Sequence, residues 1–360
     1  MGGALRLKRE TFGEVAQMRT LVTIAFTLCT FAAQAQDMAN KTISIIVGYA
    51  AGGGTDAMAR TVASLYPRYL PGAPNIVVRN IPGADGVIAA NYFAQQVKPD
   101  GLTLIMGSST TADPQYYRKA QANFDPSRFE FVGGVGMGGS AMLIDREAQK
   151  RLMDRGSKPV VIGVTGGVPR SGMQAAAWGI EYLGWNAKWV LGYRGTNELL
   201  YALERGEVSM TSTGNMYHLQ RLLAGGSFKL LTQTGSFSNG VFVGRSDFKD
   251  AQLMTDLVRD RIKDKIALDA FTYWSTLTAV DKWLALPPQT PTDIRNVYRA
   301  GFEALVKDVE FGERSRNVSD AFEPMSADDI DKLVTTLHRT SPEAIDYIAS
   351  MLRRQGLRVE

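Results

Sequence analysis

Cysteine and histidine are scarce in this chain. Its 360 residues include one cysteine and two histidines. The cysteine, Cys29, lies in an N-terminal segment that we expect to be removed, so the core must stabilise the rest without disulfides. His218 and His338 are far apart, and neither stands in an H-E-x-x-H motif or beside a cysteine. The sequence therefore offers too few suitably placed histidines for a metal site or a nucleophile triad, and we expect no metal ion or cofactor.

Nucleotide-binding loops and nucleophile elbows are missing as well. The sequence contains neither G-x-x-x-x-G-K-[ST] nor G-x-S-x-G. Residues 134–139 (GVGMGG) match G-x-G-x-x-G, but residues 140–144 suggest a further strand where a dinucleotide site needs a helix. We interpret 134–139 as a crossing between domains.

The N-terminus has the pattern of an export signal. Arg19 precedes an apolar run at 21–33, and residues 33–35 (AQA) form a small-x-small cleavage site. We predict a signal peptide over 1–35, with Gln36 the first mature residue and residues 1–17 a possible spurious extension before Met18. The run is too short for a permanent membrane helix. A buried N-terminal helix is the weaker alternative, because the run has no polar face.

Removal of the signal leaves a nearly neutral protein. The formal charge falls from +4 to +2 when residues 1–35 are lost. This gives no indication of nucleic acid or an anionic membrane as a partner. Leu28, before Cys29, is not the small residue of a lipoprotein site, so we expect no lipid anchor. No later stretch is long and apolar enough for a membrane helix.

Short apolar strands alternate with helical segments, which predicts an α/β fold with largely parallel sheets. Strand–turn pairs fall at 43–56, 76–86 and 103–110, each ending in a glycine-rich or polar turn. Glycine lets main-chain N–H groups approach a ligand, and a helix that starts after such a turn favours an anion. We therefore expect a small anion held mainly by backbone.

A second set of strand–turn–helix units follows at 160–215. We predict two crossings, near 133–140 and 230–235. These define lobe 1 (36–133 plus 236–360) and lobe 2 (134–235). Ligands of open α/β sheets bind beyond the carboxyl ends of strands, so two facing lobes would form a cleft that closes by hinge motion.

Several polar side chains allow more than one interpretation. Asp56 suits a helix N-cap best, with catalysis or ligand contact as alternatives. His218 could line the cleft, although a surface or capping role is favoured, and His338 suits a helix surface. Arg170 and Arg194 could pair with a substrate carboxylate or be ordinary exposed loop residues.

Three tryptophans lie close together in the second set of units. Trp178, Trp185 and Trp189 suit core packing, and the alternative is stacking on a substrate ring.

Five motifs in order and at characteristic spacing carry a resemblance to a known family. They are residues 51–56 (AGGGTD) with Arg60, residues 78–86 (VRNIPGADG), residues 99–104 (PDGLTL), residues 193–195 (YRG) followed by 206–208 (GEV), and residues 286–291 (LPPQTP). Together they resemble the substrate-binding receptors of tripartite tricarboxylate transporters, also called the Bug family. The resemblance spans nearly all of the chain after the signal.

The resemblance implies a two-lobed periplasmic-binding-protein type II fold (Venus flytrap) with two crossover segments. It implies a periplasmic, monomeric solute receptor, not an enzyme, which delivers a small carboxylate to the membrane subunits of such a transporter. The chain departs from the pattern of the family at two places. Pro169, Arg170 and Met173 follow residues 165–167 where the family often has a histidine on the next helix, and the return segment lacks P-T-x-x-E.

From the turns and the resemblance together we predict one set of ligand contacts. They are Tyr49, Ala51, Gly52, Gly53, Thr55, Asp56, Ala84, Asp85, Gly86, Ser108, Ser109, Thr165, Gly166, Ser171, Tyr193, Gly195, Thr213 and Asn215. If backbone carries recognition, Gly53→Val should harm binding, by bulk and by a forbidden φ, while Arg79→Ala should matter little. A ligand-presenting sensory protein remains an alternative function, and a secreted α/β hydrolase a weaker one.

Overall fold

The computed structural model describes residues 38–165, 168–193, 196–316 and 322–359. The predicted signal peptide lies outside the described residues. So do three residues assigned above to ligand turns, Gly166, Arg194 and Gly195.

The first six-stranded sheet receives strands from both ends of the described chain. In spatial order its strands are β2 (Asn75–Asn80), β1 (Thr42–Val47), β3 (Thr103–Ser108), β13 (Val280–Leu286), β4 (Glu130–Gly136) and β14 (Glu323–Ser326). β1 is parallel to β2 and β3, while β13 is antiparallel to β3 and β4. The carboxyl ends of β1, β2 and β3 therefore meet at one sheet edge, beside the first residues of β13.

The second six-stranded sheet repeats this arrangement. In spatial order its strands are β7 (Ala187–Tyr193), β6 (Val160–Thr165), β8 (Met210–Thr213), β5 (Ala141–Asp145), β9 (Phe228–Gln233) and β12 (Gln252–Leu253). β6 is parallel to β7 and β8, and β5 is antiparallel to β8 and β9. In each sheet the antiparallel fourth strand, β5 or β13, is the strand with which the chain enters from the other sheet. The prediction of largely parallel sheets is thus corrected to mixed sheets.

Helices follow most of the parallel strands. In chain order they are α1 (Gly54–Leu65), α2 (Val87–Gln96), α3 (Ser109–Ala112), α4 (Pro114–Tyr117), α5 (Arg146–Gln149), α6 (Gln174–Tyr182), α7 (Thr196–Glu204), α8 (Met216–Ala224), α9 (Met254–Val258), α10 (Lys265–Ala279), α11 (Thr292–Leu305), α12 (Val309–Arg316), α13 (Ala327–His338) and α14 (Pro342–Arg354). A short hairpin, β10 (Ser236–Ser238) and β11 (Val241–Val243), lies in the chain between β9 and β12. Among the described residues, no helix has both the length and the apolarity needed to cross a membrane.

The predicted α/β class is confirmed. α1 is followed directly by a 3-10 turn, Tyr66–Tyr69. The charged stretch 255–265 is divided between α9, the 3-10 turn Arg259–Arg261 and the N-terminus of α10. α14 opens with Pro342 at its first position and Ser341 as its N-cap, a position that suits proline because its missing N–H would have no intrahelical partner.

Helices α10 and α14 join the core that surrounds α6. Trp178 is fully buried and packs edge-on against Phe271 of α10, with ring centroids 5.0 Å apart. The hydroxyl of Tyr182 lies 2.6 Å from that of Tyr347 on α14. C-terminal helices thus pack directly against a helix that the sequence assigns to lobe 2.

Core packing is confirmed for Trp178 and Trp185. Trp185 is buried and lies over Gly179, where an added β-carbon would be 2.2 Å from its ring. Trp189 is half-buried, and its indole donates to Gln355 Oε1 at 3.2 Å. None of these three is free to stack on a ligand as placed, because each ring packs on or bonds to the protein itself.

Candidate ligand-binding site

The first glycine turn leads into a helix whose N-terminus no side chain caps. α1 has Gly53 as its N-cap, with φ −77° and ψ 166°. Residues 51–54 are exposed, and of their main-chain N–H groups that of Gly52 is already bonded to Asp56 Oδ2. The first N–H groups of a helix lack intrahelical partners and carry the positive end of the helix dipole. This turn therefore presents backbone donors suited to an anion.

Gly52 is the residue of this turn whose backbone conformation calls for glycine. Gly52 has a φ of 88°, a left-handed value that favours glycine, while Gly53 has ordinary extended geometry. An added β-carbon on Gly53 would meet only the Ala50 carbonyl, at 3.6 Å. The expectation that valine at Gly53 forbids the required φ is therefore wrong.

Asp56 is not the N-cap; it lies within α1 and reaches back to hold the turn. Its Oδ2 accepts from the Gly52 N–H at 2.8 Å and from Arg60 Nε at 2.9 Å. Its Oδ1 accepts from Asn80 Nδ2 at 2.9 Å. The Arg60 hydrogen bond is the main cause that lowers the pKa of Asp56 to about 2, with Gly52 and Asn80 adding to it against burial. The side chain is 1% exposed, so both oxygens serve the fold in this conformation.

The second glycine turn is a run of left-handed residues. Gly83, Ala84, Asp85 and Gly86 have φ values of 138°, 46°, 53° and 93°. For Ala84 and Asp85 such values are unusual, and strain of this kind concentrates at functional sites. Successive N–H groups in turns of this sort form concavities that bind anions. The turn ends where α2 begins, so a second helix N-terminus lies beside it.

The two turns touch. A β-carbon added to Gly48 would lie 2.7 Å from the Cα of Gly86, so Gly48 leaves no room for a side chain between the turns, and one added to Gly86 would lie 2.9 Å from Thr111 Cγ2. Asn80 Nδ2 also donates to the Tyr49 carbonyl at 2.9 Å. The glycines are needed here because the backbones of two turns meet. The two turns in contact form the candidate site, which we call the cradle: residues 49–55 and 83–86, of which 50–54, 84 and 85 are exposed.

Tyr49 links the cradle to the end of β3. Its hydroxyl donates to the Asp85 carbonyl at 3.1 Å and lies 2.7 Å from Ser108 Oγ. Ser108 is fixed by a capping box with Thr111, and its carbonyl accepts from Trp283 Nε1 at 3.0 Å. Ser109 follows at the start of α3 and is half-buried. The structure thus brings together Tyr49, Asp85 and Ser108, three of the predicted ligand contacts.

One charged residue beside the cradle was missed by sequence reasoning. Lys282 is 8% exposed, pairs in register with Ser108 and forms an ion pair with Asp281. A β-carbon on Gly54 would lie 3.9 Å from its Cε, so its aliphatic stem lies beside the start of α1. A lysine inside the apolar run 280–286 was the available signal.

The predicted contacts of the second sheet lie at the ends of β6, β7 and β8. Thr165 is exposed, and Tyr193 is half-buried, with its pKa raised mainly by burial. Thr213 Oγ1 accepts from the Asn215 N–H at 3.1 Å. Asn215 is the N-cap of α8 and accepts from the His218 N–H at 3.2 Å. Asn215 therefore has a local structural role whatever else it contacts.

Ser171 is tied to the core of the protein. It has a φ of 47°, and its carbonyl accepts from Trp274 Nε1 at 3.0 Å. Next to it, a β-carbon on Gly172 would lie 1.8 Å from Ser140 Oγ, so this turn packs on the first crossing. Arg170, considered above as a carboxylate partner, is exposed.

The two predicted crossings lie side by side. The Thr234 N–H donates to the Ser140 carbonyl at 2.9 Å, and the Ser140 N–H donates to Thr234 Oγ1 at 2.8 Å. A β-carbon on Gly139, whose φ is 65°, would lie 2.4 Å from the Gly235 carbonyl. Residues 134–136 end β4 and β5 begins at Ala141. The strand expected at 140–144 is thus confirmed as β5, in the place where a dinucleotide site needs a helix.

The two histidines occupy different settings. His338 packs flat against Tyr117, with Nδ1 3.4 Å from Asp125 Oδ1, and its side chain is 45% exposed at the end of α13. His218 is half-buried in the first turn of α8. Over the described ranges, no group of three or more His, Cys, Asp or Glu side chains is placed to hold a metal ion.

Comparison with solved structures identifies the fold. A TctC solute binding protein from Polaromonas, solved without ligand, superposes with a TM-score of 0.63 at 18% identity, covering 87% of this chain and 98% of that chain. Rpa4515 of R. palustris, solved with adipate, gives a TM-score of 0.50 at 20% identity over 89% and 99% of the two chains. At these identities the likeness shows a shared fold. The predicted two-lobed binding-protein architecture is therefore confirmed.

Sequence relatives match over a shorter stretch. A UPF0065 protein of Bordetella pertussis is 33% identical over 110 residues, 30% of this chain and 33% of the relative. A UPF0065 protein of Cupriavidus necator is 37% identical over 94 residues, 26% and 27% of the two chains. The matched part of this chain thus spans about a third of the length of these relatives. No protein-family model matches the chain. The neighbours in fold and sequence nevertheless confirm the resemblance that the motifs carry.

Proposed function

We propose that this protein is an extracytoplasmic solute receptor that binds a small carboxylate and delivers it to a tripartite tricarboxylate-type membrane transporter. The contact between the two glycine turns is the observation that carries the proposal. Gly48 approaches Gly86 closely enough to exclude any side chain at position 48, and this contact brings the two turns together in the cradle.

The chemistry of the cradle favours an anion of modest size. Two helix N-termini, at Gly54 and Val87, adjoin it, and the left-handed turn 83–86 adds further N–H groups. The hydroxyls of Tyr49 and Ser108 stand at its wall, bonded to each other and to the Asp85 carbonyl, and so they hold the turn 83–86 against the end of β3. A carboxylate takes such N–H donors well, because charge-assisted hydrogen bonds are stronger than neutral ones.

The similar proteins support a role in binding a ligand without catalysing its conversion. The Polaromonas neighbour is described as a solute binding protein, and the R. palustris neighbour was solved with adipate. We propose that this chain binds its ligand unchanged, acts as a monomer and works in the periplasm after cleavage of residues 1–35. Its membrane partners would be the transporter subunits, with the second lobe closing over the bound acid.

A thermal-shift screen of organic acids on protein recovered from the periplasm tests the binding role. A ligand present at a hundred times its Kd should stabilise the protein by roughly 2.7 kcal/mol. Chromatography of the incubated ligand should show it unaltered, and turnover would contradict a pure receptor. Uptake of the identified acid should be lost on deletion of this gene and of neighbouring transporter genes. Intact uptake with loss of a ligand-dependent transcriptional response would favour the sensory alternative instead.

A further inference from the structure

The second sheet contains a small cavity at the carboxyl ends of β6 and β8. Its volume is about 80 Å³, enough for a water-sized group or a short piece of a ligand. Thr165 and Thr213, both predicted as ligand contacts, lie on its wall. Leucines of α7, including Leu199 and Leu203, supply much of the remaining wall. The cavity thus combines an apolar wall with hydroxyl groups at the strand ends.

Two polar groups on residues that line this cavity lack a good hydrogen-bond partner. Nδ1 of His218 is buried and has no hydrogen-bond partner among the described residues. The Ser212 N–H donates to the thioether sulfur of Met173 at 3.0 Å. A thioether is a weak acceptor, and an unsatisfied buried polar atom is costly. Both groups would gain from a ligand oxygen that entered the cavity.

His218 is the only titratable side chain in the described lining of the cavity. Its described lining contains no Asp, Glu, Lys or Arg. A carboxylate placed here would lose its hydration, and the described lining holds no permanent cation to replace it. A hydroxyl or carbonyl would lose far less and could still bond to His218 and to the Ser212 N–H.

We infer that this cavity takes the far end of the bound acid, that this end is a neutral hydroxyl or carbonyl on a short aliphatic chain, and that Met173 limits the length of that chain. The inference rests on the proposed function, because it takes the carboxylate to lie in the cradle. Met173 lies in the turn Ser171–Met173, just before α6, with its sulfur at the end of β8, so its side chain closes this end of the cavity. The ligand class is therefore ω-hydroxy or oxo monocarboxylic acids in preference to dicarboxylic acids.

Matched ligands test the ligand class. Isothermal titration would compare, at each chain length from three to eight carbons, the dicarboxylic acid, the ω-hydroxy acid and the plain monocarboxylic acid. We expect the ω-hydroxy acid to bind at least about tenfold more tightly than the dicarboxylic acid of equal length. Equal or tighter binding of the dicarboxylic acid would overturn the inference and leave the receptor function standing. Absence of binding by every acid would overturn the proposed function and the inference with it.

Two pairs of variants test the roles of His218 and Met173. His218→Phe should remove the preference for the hydroxyl, while His218→Asn, which keeps a polar atom near the position of Nδ1, should retain most of it. Met173→Ala should move the preferred chain length up by about two carbons, while Met173→Leu should leave it unchanged because it keeps the volume.

Two controls distinguish a change in ligand preference from a failure of the variant to fold. Circular dichroism and binding of the plain monocarboxylic acid would show that each variant is folded and that the cradle works. An unchanged hydroxyl preference in folded His218→Phe would overturn the role of His218. An unchanged length preference in folded Met173→Ala would overturn the role of Met173.

Discussion

The side-chain amide of Asn80 donates to Oδ1 of Asp56 at 2.9 Å and so connects the two glycine turns through a buried carboxylate. The other oxygen of Asp56 accepts from the Gly52 N–H. The same amide of Asn80 donates to the Tyr49 carbonyl. Two side chains thus hold the backbone of both glycine turns in place.

Replacement of Asp56 by alanine should lower both stability and affinity. It leaves the Gly52 N–H and the Asn80 amide without their acceptor, and we expect the free energy of unfolding to fall by about 2–3 kcal/mol. Urea denaturation measures the loss. Asp154→Ala is the matched control, because Asp154 is exposed and accepts only from Gly156 and Ser157, two and three residues away. A loss at Asp154 as large as at Asp56 would contradict a special role for Asp56.

The stability of the protein should contain an acid-sensitive part that belongs to Asp56. Its pKa falls from an ordinary 3.8 to about 2 on folding, mainly through the hydrogen bond from Arg60. The folded state therefore prefers the ionised carboxyl. Its contribution is fully present above about pH 4 and is lost as the pH falls from 3.8 towards 2. Denaturation midpoints measured across this window should decline less steeply in Asp56→Asn than in the native protein. Parallel curves would argue against this assignment.

Gly52 and Gly53 should respond differently to substitution. Gly52→Ala places a side chain at a φ of 88° and should reduce stability by about 1 kcal/mol. Gly53→Val has no such strain, but its side chain would stand before the N-terminus of α1. We expect it to weaken ligand binding by at least about 2 kcal/mol while the protein remains folded.

Arg79→Ala is the control for the cradle. Arg79 is exposed, and its guanidinium lies 5.3 Å from the ring centroid of Tyr92, on α2. Its loss should leave affinity nearly unchanged in isothermal titration. Wild-type affinity in folded Gly53→Val would rule out recognition by backbone, and a large loss in Arg79→Ala would indicate an arginine clamp.

The N-terminal segment should be absent from the exported protein. Arg19, the apolar run 21–33 and the AQA site at 33–35 place cleavage after Ala35. Edman sequencing of periplasmic protein should begin at Gln36. Recovery of cytoplasmic protein that starts at Met1 or Met18 would contradict export.

Ligand binding should bring the two lobes together. The crossings at Ser140 and Thr234 are bonded to each other, and Gly139 and Gly235 beside them have positive φ. Short paired crossings of this kind are suited to hinge motion. Small-angle scattering with a saturating ligand should give a smaller radius of gyration than without it. An unchanged radius at saturation would indicate a rigid protein and remove closure from the mechanism.

Much of the architecture is readable from local sequence. The apolar strands, the glycine turns after them and the helix that begins after Gly86 follow from preferences of short segments. Glycine at positions 83 and 86 reflects left-handed backbone, which nearby residues determine. The resemblance carried by the five motifs was likewise visible, since those motifs are short and continuous.

Contacts between distant segments were decided only by the tertiary structure. Local sequence suited Asp56 to an N-cap. In the structure its carboxylate instead accepts hydrogen bonds from Gly52 and from Asn80, which is 24 residues away, and so connects the two turns. Lys282 reaches the cradle because β13 inserts beside β3, a pairing that no local pattern specifies. Met173 and His218 share a cavity because β6, β8 and their helices converge there. Local conformation depends on neighbouring residues, whereas these side chains find their partners only after the sheets have assembled.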